Sequence, residues 1–474
     1  MPPRKRQNRP PDPDPARPSS PPPAREQSSQ EDEDDDDDDD DAAGQPPLPF
    51  YNTTFSAHRV SPLYLGSEPL TTSRLQLLSQ RLRDRLVGDV VRGVEVGRAA
   101  AEGGDDSSIV GRAGALEMVD IHWVGVADVL GISREDLESL GDDGDTANWH
   151  RAAAQLPDKK ALHISLRYET ASCTALMLPP LLGEGGERSD VGKTRFSVGG
   201  VGADEMDWER SVDPAHFLAL PLLLLRMPAP LKTIIGEFLS TTFDCRASPM
   251  RLGTRTLVRS WEAWIGSAGL PSRGPLAKDV VLNLGFYVLQ PDKPSPAPGQ
   301  SLEDAAATAD QQQPLGIKSI EIIIPAAELN KFVAAGKRLA KTLNNQTSAS
   351  AGWGWEDDHK KRRKLAGRLY EEGWEWRRTS AADAGGVPDE QPFTEALACY
   401  LKEHAGLNLF HPGVRVVKIG CGGFAMSETR LKLFAPTGSG EPDGEGLSLL
   451  GQQGAVLELL GGLSVKAQVQ TVAV

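Results

Sequence analysis

The last sixty residues constrain the fold most. Val414-Arg-Val-Val-Lys-Ile-Gly420 is β-branched and half alternating, and a glycine-rich break, Gly420-Cys-Gly-Gly423, separates it from Leu431-Lys-Leu-Phe434. Further on, Ala455-Val-Leu-Glu-Leu-Leu460 and Leu463 to Val474 flank Gly461-Gly462, and two apolar runs about a Gly-Gly pair predict a hairpin. Its last strand, fully extended from Ser464, would span about 35 Å. One face would carry Val465, Ala467, Val469, Thr471 and Ala473, the other Lys466, Gln468 and Gln470. A long strand with a single charge is a poor free edge, because its unpaired N–H and C=O groups invite another strand. The expectation is that a partner adds a strand here, on Val465, Ala467, Val469, Thr471 and Ala473.

The 474 residues suffice for one large domain or two to three ordinary ones. Four cysteines (Cys173, Cys245, Cys399, Cys421) lie far apart with no Cys-x-x-Cys, which points to a reducing compartment and buried thiols. No apolar signal-peptide core opens the sequence. The run Phe217–Leu225 is too short to span a bilayer and reads as a buried helix. The net charge of −15 is unevenly spread. Residues 1–49 hold 6 basic and 14 acidic side chains, net −8, which leaves −7 for the rest and removes any bulk-charge argument against nucleic acid.

Residues 1–49 hold 13 of the 36 prolines and an acidic run from Glu31 to Asp41, the composition of a disordered tail. Arg4-Lys-Arg6 with Arg9 fits either a nuclear-import cluster or a solvated basic end. Past the tail, Phe50 to Tyr64 is β-rich, and Ser73 caps a helix through Leu86. Asp89–Gly97 and Ala115–Val124 read as strands, and Lys160–Tyr168 with Cys173–Pro179 as an antiparallel pair. Helices are expected over Pro214–Arg226, Leu231–Thr242, Thr254–Ser267, Pro325–Leu343, Trp353–Arg378 and Phe393–Ala405, with strands at Val280–Leu289 and Ile317–Ile324. Residues 291–316, rich in Pro, Ala and Gln, read as a disordered insertion between an N-terminal region (50–290) and a C-terminal region (317–474). The mixture lacks a βαβ rhythm, so the expected class is α+β: mainly antiparallel sheets with packed helices.

Chemical motifs are weak. Gly420-x-Gly-x-x-Ala425 fits the loose dinucleotide fingerprint and is the basis of the alternative reading, a nucleotide-binding enzyme; the motif needs a following helix, whereas strand is expected. Val191-Gly-Lys-Thr194 lacks the earlier P-loop glycine, position 187 being Glu. Cys399, His404, His411 and Cys421 could meet at zinc only through unusual spacings. There is no Gly-x-Ser-x-Gly or His-Glu-x-x-His, and nothing gathers nucleophile, base and oxyanion donors. The expectation is no enzyme and no cofactor. The remaining feature is Lys360, Lys361, Arg362, Arg363 and Lys364 with Arg368, the densest positive charge outside the tail. On a helix carrying Tyr370, Trp374 and Trp376, it could neutralise a DNA backbone; the same charges also suit a solvated face over core tryptophans.

Several longer stretches carry a resemblance. Phe50-Tyr-Asn-Thr-Thr-Phe55, Arg59-Val-Ser-Pro-Leu-Tyr64, Leu82 to Val94, Thr241-Thr-Phe-Asp-Cys-Arg246, Gly352-Trp-Gly-Trp-Glu356, Arg362 to Tyr370, Glu372-Gly-Trp-Glu-Trp376 and Val416 to Phe424 resemble the fungal CENP-L family, over roughly residues 50–474. The resemblance implies a non-enzymatic inner-kinetochore scaffold in the nucleus. It would pair with a CENP-N-type subunit through its C-terminal sheet region, hold neighbouring subunits and centromeric nucleosomes, and self-associate as a homodimer when that partner is absent. No membrane partner is implied.

Overall fold

The computed structural model describes residues 50–91, 114–132, 156–181, 216–271, 277–287, 316–343, 365, 371–377, 391–436 and 449–472. Its centre is an eleven-stranded, wholly antiparallel sheet. The strands are β1 (Thr54–Val60), β3 (Leu116–Gly125), β4 (Lys160–Tyr168), β5 (Ser172–Leu178), β7 (Leu222–Arg226), β8 (Ala247–Pro249), β9 (Val280–Phe286), β10 (Ser319–Ile324), β11 (Val414–Gly420), β12 (Phe424–Ser427) and β13 (Arg430–Leu433). They run in the order β10-β9-β11-β12-β13-β1-β7-β5-β4-β3, with β8 also paired to β1. The short strands β2 (Leu63–Tyr64) and β6 (Phe217–Leu218) form a separate pair. β1 joins the two halves: Phe55 faces Leu431 of β13, and Ala57 faces Leu224 of β7. One sheet thus draws strands from both regions that the sequence delimits, and the α+β, antiparallel class is as expected.

Seven helices are described: α1 (Thr72–Val91), α2 (Val126–Leu130), α3 (Ala229–Phe243), α4 (Thr254–Ala268), α5 (Ala326–Leu343), α6 (Pro392–Ala405) and α7 (Leu449–Val472). Side-chain alternation sorts them into two layers. Leu222 and Leu224 of β7 enter one core with α4, α6 and α7, while Leu223 and Leu225 enter a second with α1 and α3. The inner strands are therefore buried on both faces. Among the described residues, the outer strands β9 to β13 bury side chains on the first face, through Leu282, Leu284, Val416, Ile419, Phe424, Met426, Leu431 and Leu433.

Several expectations give way. The helix expected over Trp353–Arg378 does not hold at its described end, where Glu371–Glu375 are turn and bend. Of the helix expected over Pro214–Arg226, the described residues 216–226 form none: the apolar end is β7, a central strand buried on both faces, where a continuous apolar run carries no periodicity. Asp89–Val91 closes α1 and opens no strand; residues 92–97 lie outside those described. The predicted terminal hairpin is absent, and α7 runs as one helix through Gly461-Gly462. At 24 residues it is about 36 Å long. Val456, Leu459, Leu460, Leu463 and Ala467 recur at helical spacing and are all within 5% of full burial. That burial, at roughly 1.5–3 kcal/mol per large side chain, outweighs about 1 kcal/mol for each helical glycine.

Polar ties fix α7 in place. Lys466 Nζ pairs with the Glu371 carboxylate, and Ser267 of α4 donates to Glu458. Gln453 Nε2 donates to the Gly131 carbonyl at 3.2 Å, and Ser464 Oγ to that of Pro179 at 3.4 Å. In a helix Val465 and Ala467 cannot share a pairing face: Val465 is 44% exposed and Ala467 fully buried. Val469 and Thr471 belong to the same helix, and Ala473 lies outside the described residues. Val465, Ala467, Val469 and Thr471 therefore form no pairing strand.

Candidate partner interface

Among the described residues the sheet has an unpaired edge at its other end. Among the described residues β10 pairs only with β9, in the register Ser319↔Gly285 to Ile324↔Val280. Its alternation is regular. Ile320 and Ile322 are half-buried and Ile324 buried on the core side, whereas Ser319, Glu321 and Ile323 are exposed on the other. Ile323 is 58% exposed and Ile317, just before the strand, 68%. Tyr287, just after β9 and on the same side, is 41% exposed.

The face continues inward as two rows. Ile323, Val281, Gly420, Ala425, Lys432 and Thr54 succeed one another across six strands. Glu321, Asn283, Lys418 and Ser427 form the neighbouring row. Small side chains leave the sheet flat, and the long ones are mostly basic: Lys418 and Arg430 are exposed and Lys432 half-exposed. Lys278 and Lys432 both lie over the Phe434 ring, 5.4 and 5.3 Å from its centre.

Residues 371–377 clamp the upper end of β11. The Trp374 indole N–H donates to the Val414 carbonyl at 3.0 Å, and Thr254 Oγ1 bridges the Glu372 carbonyl at 2.6 Å and the Val416 N–H at 3.1 Å. Arg415 binds the Glu372 carboxylate at 3.0 Å and the Leu365 carbonyl at 3.1 Å, and its guanidinium lies 3.7 Å from the Tyr287 ring centre. Trp374 and Trp376 are 4% and 2% exposed, so these two are core side chains. The basic candidates Lys360, Lys361, Arg362, Arg363, Lys364 and Arg368 lie outside the described residues.

The glycine-rich break is a sheet turn. Gly420 pairs with Ala425 across the β11–β12 hairpin, so strand follows where a dinucleotide site needs a helix N-terminus. A Cβ on Gly423 would run into the Trp264 ring, which explains the glycine by packing. A cavity of about 40 Å³ beside the turn, between Trp261, Trp264 and Cys421, has room for a few waters. Burial pushes the Cys421 thiol up to about 11, far from a reactive thiolate. Cys399 and His404 are exposed on α6, and His411 Nδ1 accepts the Gly413 N–H at 3.0 Å. Among the described residues no three His, Cys, Asp or Glu side chains gather as a metal site. No described helix is long and apolar enough to cross a membrane.

The sequence marks Ile317–Ile324 as a strand but not as an edge. The one local signal is Ile323, an isoleucine on the side where Ser319 and Glu321 are polar.

Among the described residues, fold and surface define an antiparallel α+β protein whose inner strands are buried on both faces, whose outer strands carry a polar second face, and whose β10 edge is unpaired and flanked by isoleucines. The family model for centromere protein L matches residues 49–468, and the chain belongs to the CENP-L family. No curated protein matches the chain. Membership makes this a kinetochore-related, non-enzymatic subunit of chromosome segregation; the family is a centromere component of the nucleus that works with other inner-kinetochore subunits.

Proposed function

We propose that this chain is a scaffold that pairs with a CENP-N-type subunit along β10, and that the pair helps anchor kinetochore assembly on centromeric chromatin. The observation that carries the reading is the β10 edge between Ile317 and Ile323, unpaired on its outer side among the described residues. An added strand would satisfy its outward N–H and C=O groups, at roughly 1 kcal/mol net per hydrogen bond. Covering the two isoleucines adds about 1–2 kcal/mol each. Homodimerisation without the partner would use the same edge.

The test is co-purification and titration calorimetry with a CENP-N-type subunit, comparing the native chain with Ile317→Asp/Ile323→Lys. Affinity is expected to fall at least about thirtyfold, since every 1.4 kcal/mol is tenfold. Unchanged affinity refutes pairing at this edge. DNA contact is assigned by charge alone to Lys360–Lys364 and Arg368. Reversing Lys360, Arg362 and Arg363 to Glu should weaken DNA binding and flatten its dependence on salt; unchanged binding returns these residues to solvent-facing duty.

A further inference from the structure

The opposite end of the sheet holds a chain of titratable groups that pairing at β10 does not use. Asp120 and His122 lie on β3, the terminal strand, and His163 on β4 directly opposite His122. His122 Nδ1–H donates to Asp120 Oδ2 at 2.6 Å, and His122 Nε2 lies 3.2 Å from His163 Nδ1. The two rings meet edge to face, 4.9 Å apart. His163 is only 6% exposed, and its Nε2 is buried with no hydrogen-bond partner.

We propose that Asp120, His122 and His163 form a proton-counting latch on β3, which stays closed with one bound proton and opens with the second. The logic is donor arithmetic. With both rings neutral, Asp120 takes the His122 Nδ1 proton, so His122 Nε2 is a bare lone pair and accepts from His163 Nδ1–H. Consider the pair with a hydrogen also on His122 Nε2, one added proton in all. His163 then shifts its own proton from Nδ1 to Nε2, and the cross-strand bond survives with its direction reversed. A second proton gives His163 hydrogens on both nitrogens. Two N–H groups then face each other across 3.2 Å, two positive charges adjoin, and no bond remains.

The surroundings resist a proton on His163. Burial first and the His122 charge second lower its pKa to about 4, against Asp120, which raises it. On β5 the residue opposite His163 is Leu176, which is uncharged. Ser165 of β4 faces Asp120, and α1 packs on β3 with α3 in the other layer. Because the folded-state pKa lies below the unfolded value of 6.5, closure is favoured above 6.5 and lost as pH falls towards 4. Among the described residues β3 pairs with one strand, β4, and its other ties are single bonds, the Ile121 N–H to Ser79 Oγ of α1 at 2.9 Å and the Trp123 indole N–H to the Leu70 carbonyl at 3.1 Å, so it can open without dismantling the inner strands.

Hydrogen exchange on the full chain, corrected for intrinsic rates, tests the latch. Between pH 7.5 and 5.0, protection of Leu116–Gly125 should fall about thirtyfold, as one proton released near 6.5 and bound near 4 requires, while β11 and β12 hold theirs. His163→Gln keeps a donor and does not titrate, so its β3 protection should change less than threefold. His122→Asn, whose amide can turn to accept from a protonated His163, should reduce the native dependence at least threefold and decides the matter if His163→Gln does not fold. A native change under threefold, an undiminished dependence in the variants, or loss of β11–β12 in step with β3 overturns the proposal.

Discussion

Gly462→Ala separates the helical and hairpin readings of the C-terminal segment by sign. In α7, Gly462 is exposed, has no left-handed backbone, and an added Cβ would meet nothing within 4 Å. Alanine there gains helix propensity of about 1 kcal/mol over glycine. In a two-residue Gly-Gly hairpin turn, the same methyl would sit at positive φ and cost about 1–2 kcal/mol. The two readings therefore differ by roughly 2–3 kcal/mol and in direction. Urea denaturation followed by circular dichroism is the assay. With a slope near 3 kcal/mol/M, the midpoint should rise by about 0.3 M. Leu463→Ala is the companion: it empties a site 1% exposed, and should cost about 2–5 kcal/mol. Val465→Ala, on a residue 44% exposed, should cost well under half of that, roughly 1 kcal/mol or less. A lowered midpoint for Gly462→Ala, or equal losses at positions 463 and 465, would refute the helical assignment and the packing argument built on it.

Two further substitutions probe the helix layer. A Cβ on Gly336 of α5 would collide with the Pro392 carbonyl at the start of α6, so Gly336→Ala should destabilise by more than about 1–3 kcal/mol despite its better propensity; a neutral result in denaturant melts would mean the two helices stand further apart. Glu262 of α4 accepts the Thr394 N–H at 2.8 Å and the Thr394 hydroxyl at 2.7 Å, while its second oxygen is buried without a partner. Burial raises its pKa above the usual carboxylate value, against the Thr394 hydrogen bonds, which lower it. With the folded pKa above the unfolded one, its contribution favours the fold at low pH and is lost as pH rises through that pKa. Glu262→Gln keeps an acceptor and removes the buried charge, so it should be neutral or stabilising at pH 8 and flatten the pH dependence of the midpoint. A loss of more than about 2 kcal/mol would show that the charge itself is needed.

Elements with one wet side were legible in the sequence, because burial on one side leaves a period. β3, α4 and α5 all fall where alternation or helical spacing places them, and the β4–β5 pair, though buried on both faces, is marked by the Glu169-Thr-Ala turn between its runs. β7 and α7 were not, for one reason: both are buried nearly all round. Leu222–Leu225 sends side chains alternately into two cores, and α7 is covered by α4 and the sheet, so neither leaves a polar face to set a phase. In α7 the alternating Val465, Ala467 and Val469 coincided with a sheet pattern, and Gly461-Gly462 supplied a false turn.

The same distinction decides where a partner can dock. An edge belongs to strand order and leaves no mark on a segment by itself: Ser319–Ile324 would read identically in the middle of the sheet. The segment first credited with docking, Leu463 to Val474, owes its apolar side chains to the core, and removing it from Ser464 would expose Leu459, Leu460 and Leu463 along with the ground beneath Ala467. Loss of binding in such a truncation would therefore report unfolding as readily as a missing interface. Ile317 and Ile323 escape that ambiguity, since side chains already more than half in solvent can be charged with little effect on the isolated fold. A partner that still bound the doubly charged edge while the chain remained folded would have to engage the flat face of Lys418, Arg430 and Lys432, by side-chain contact rather than strand addition.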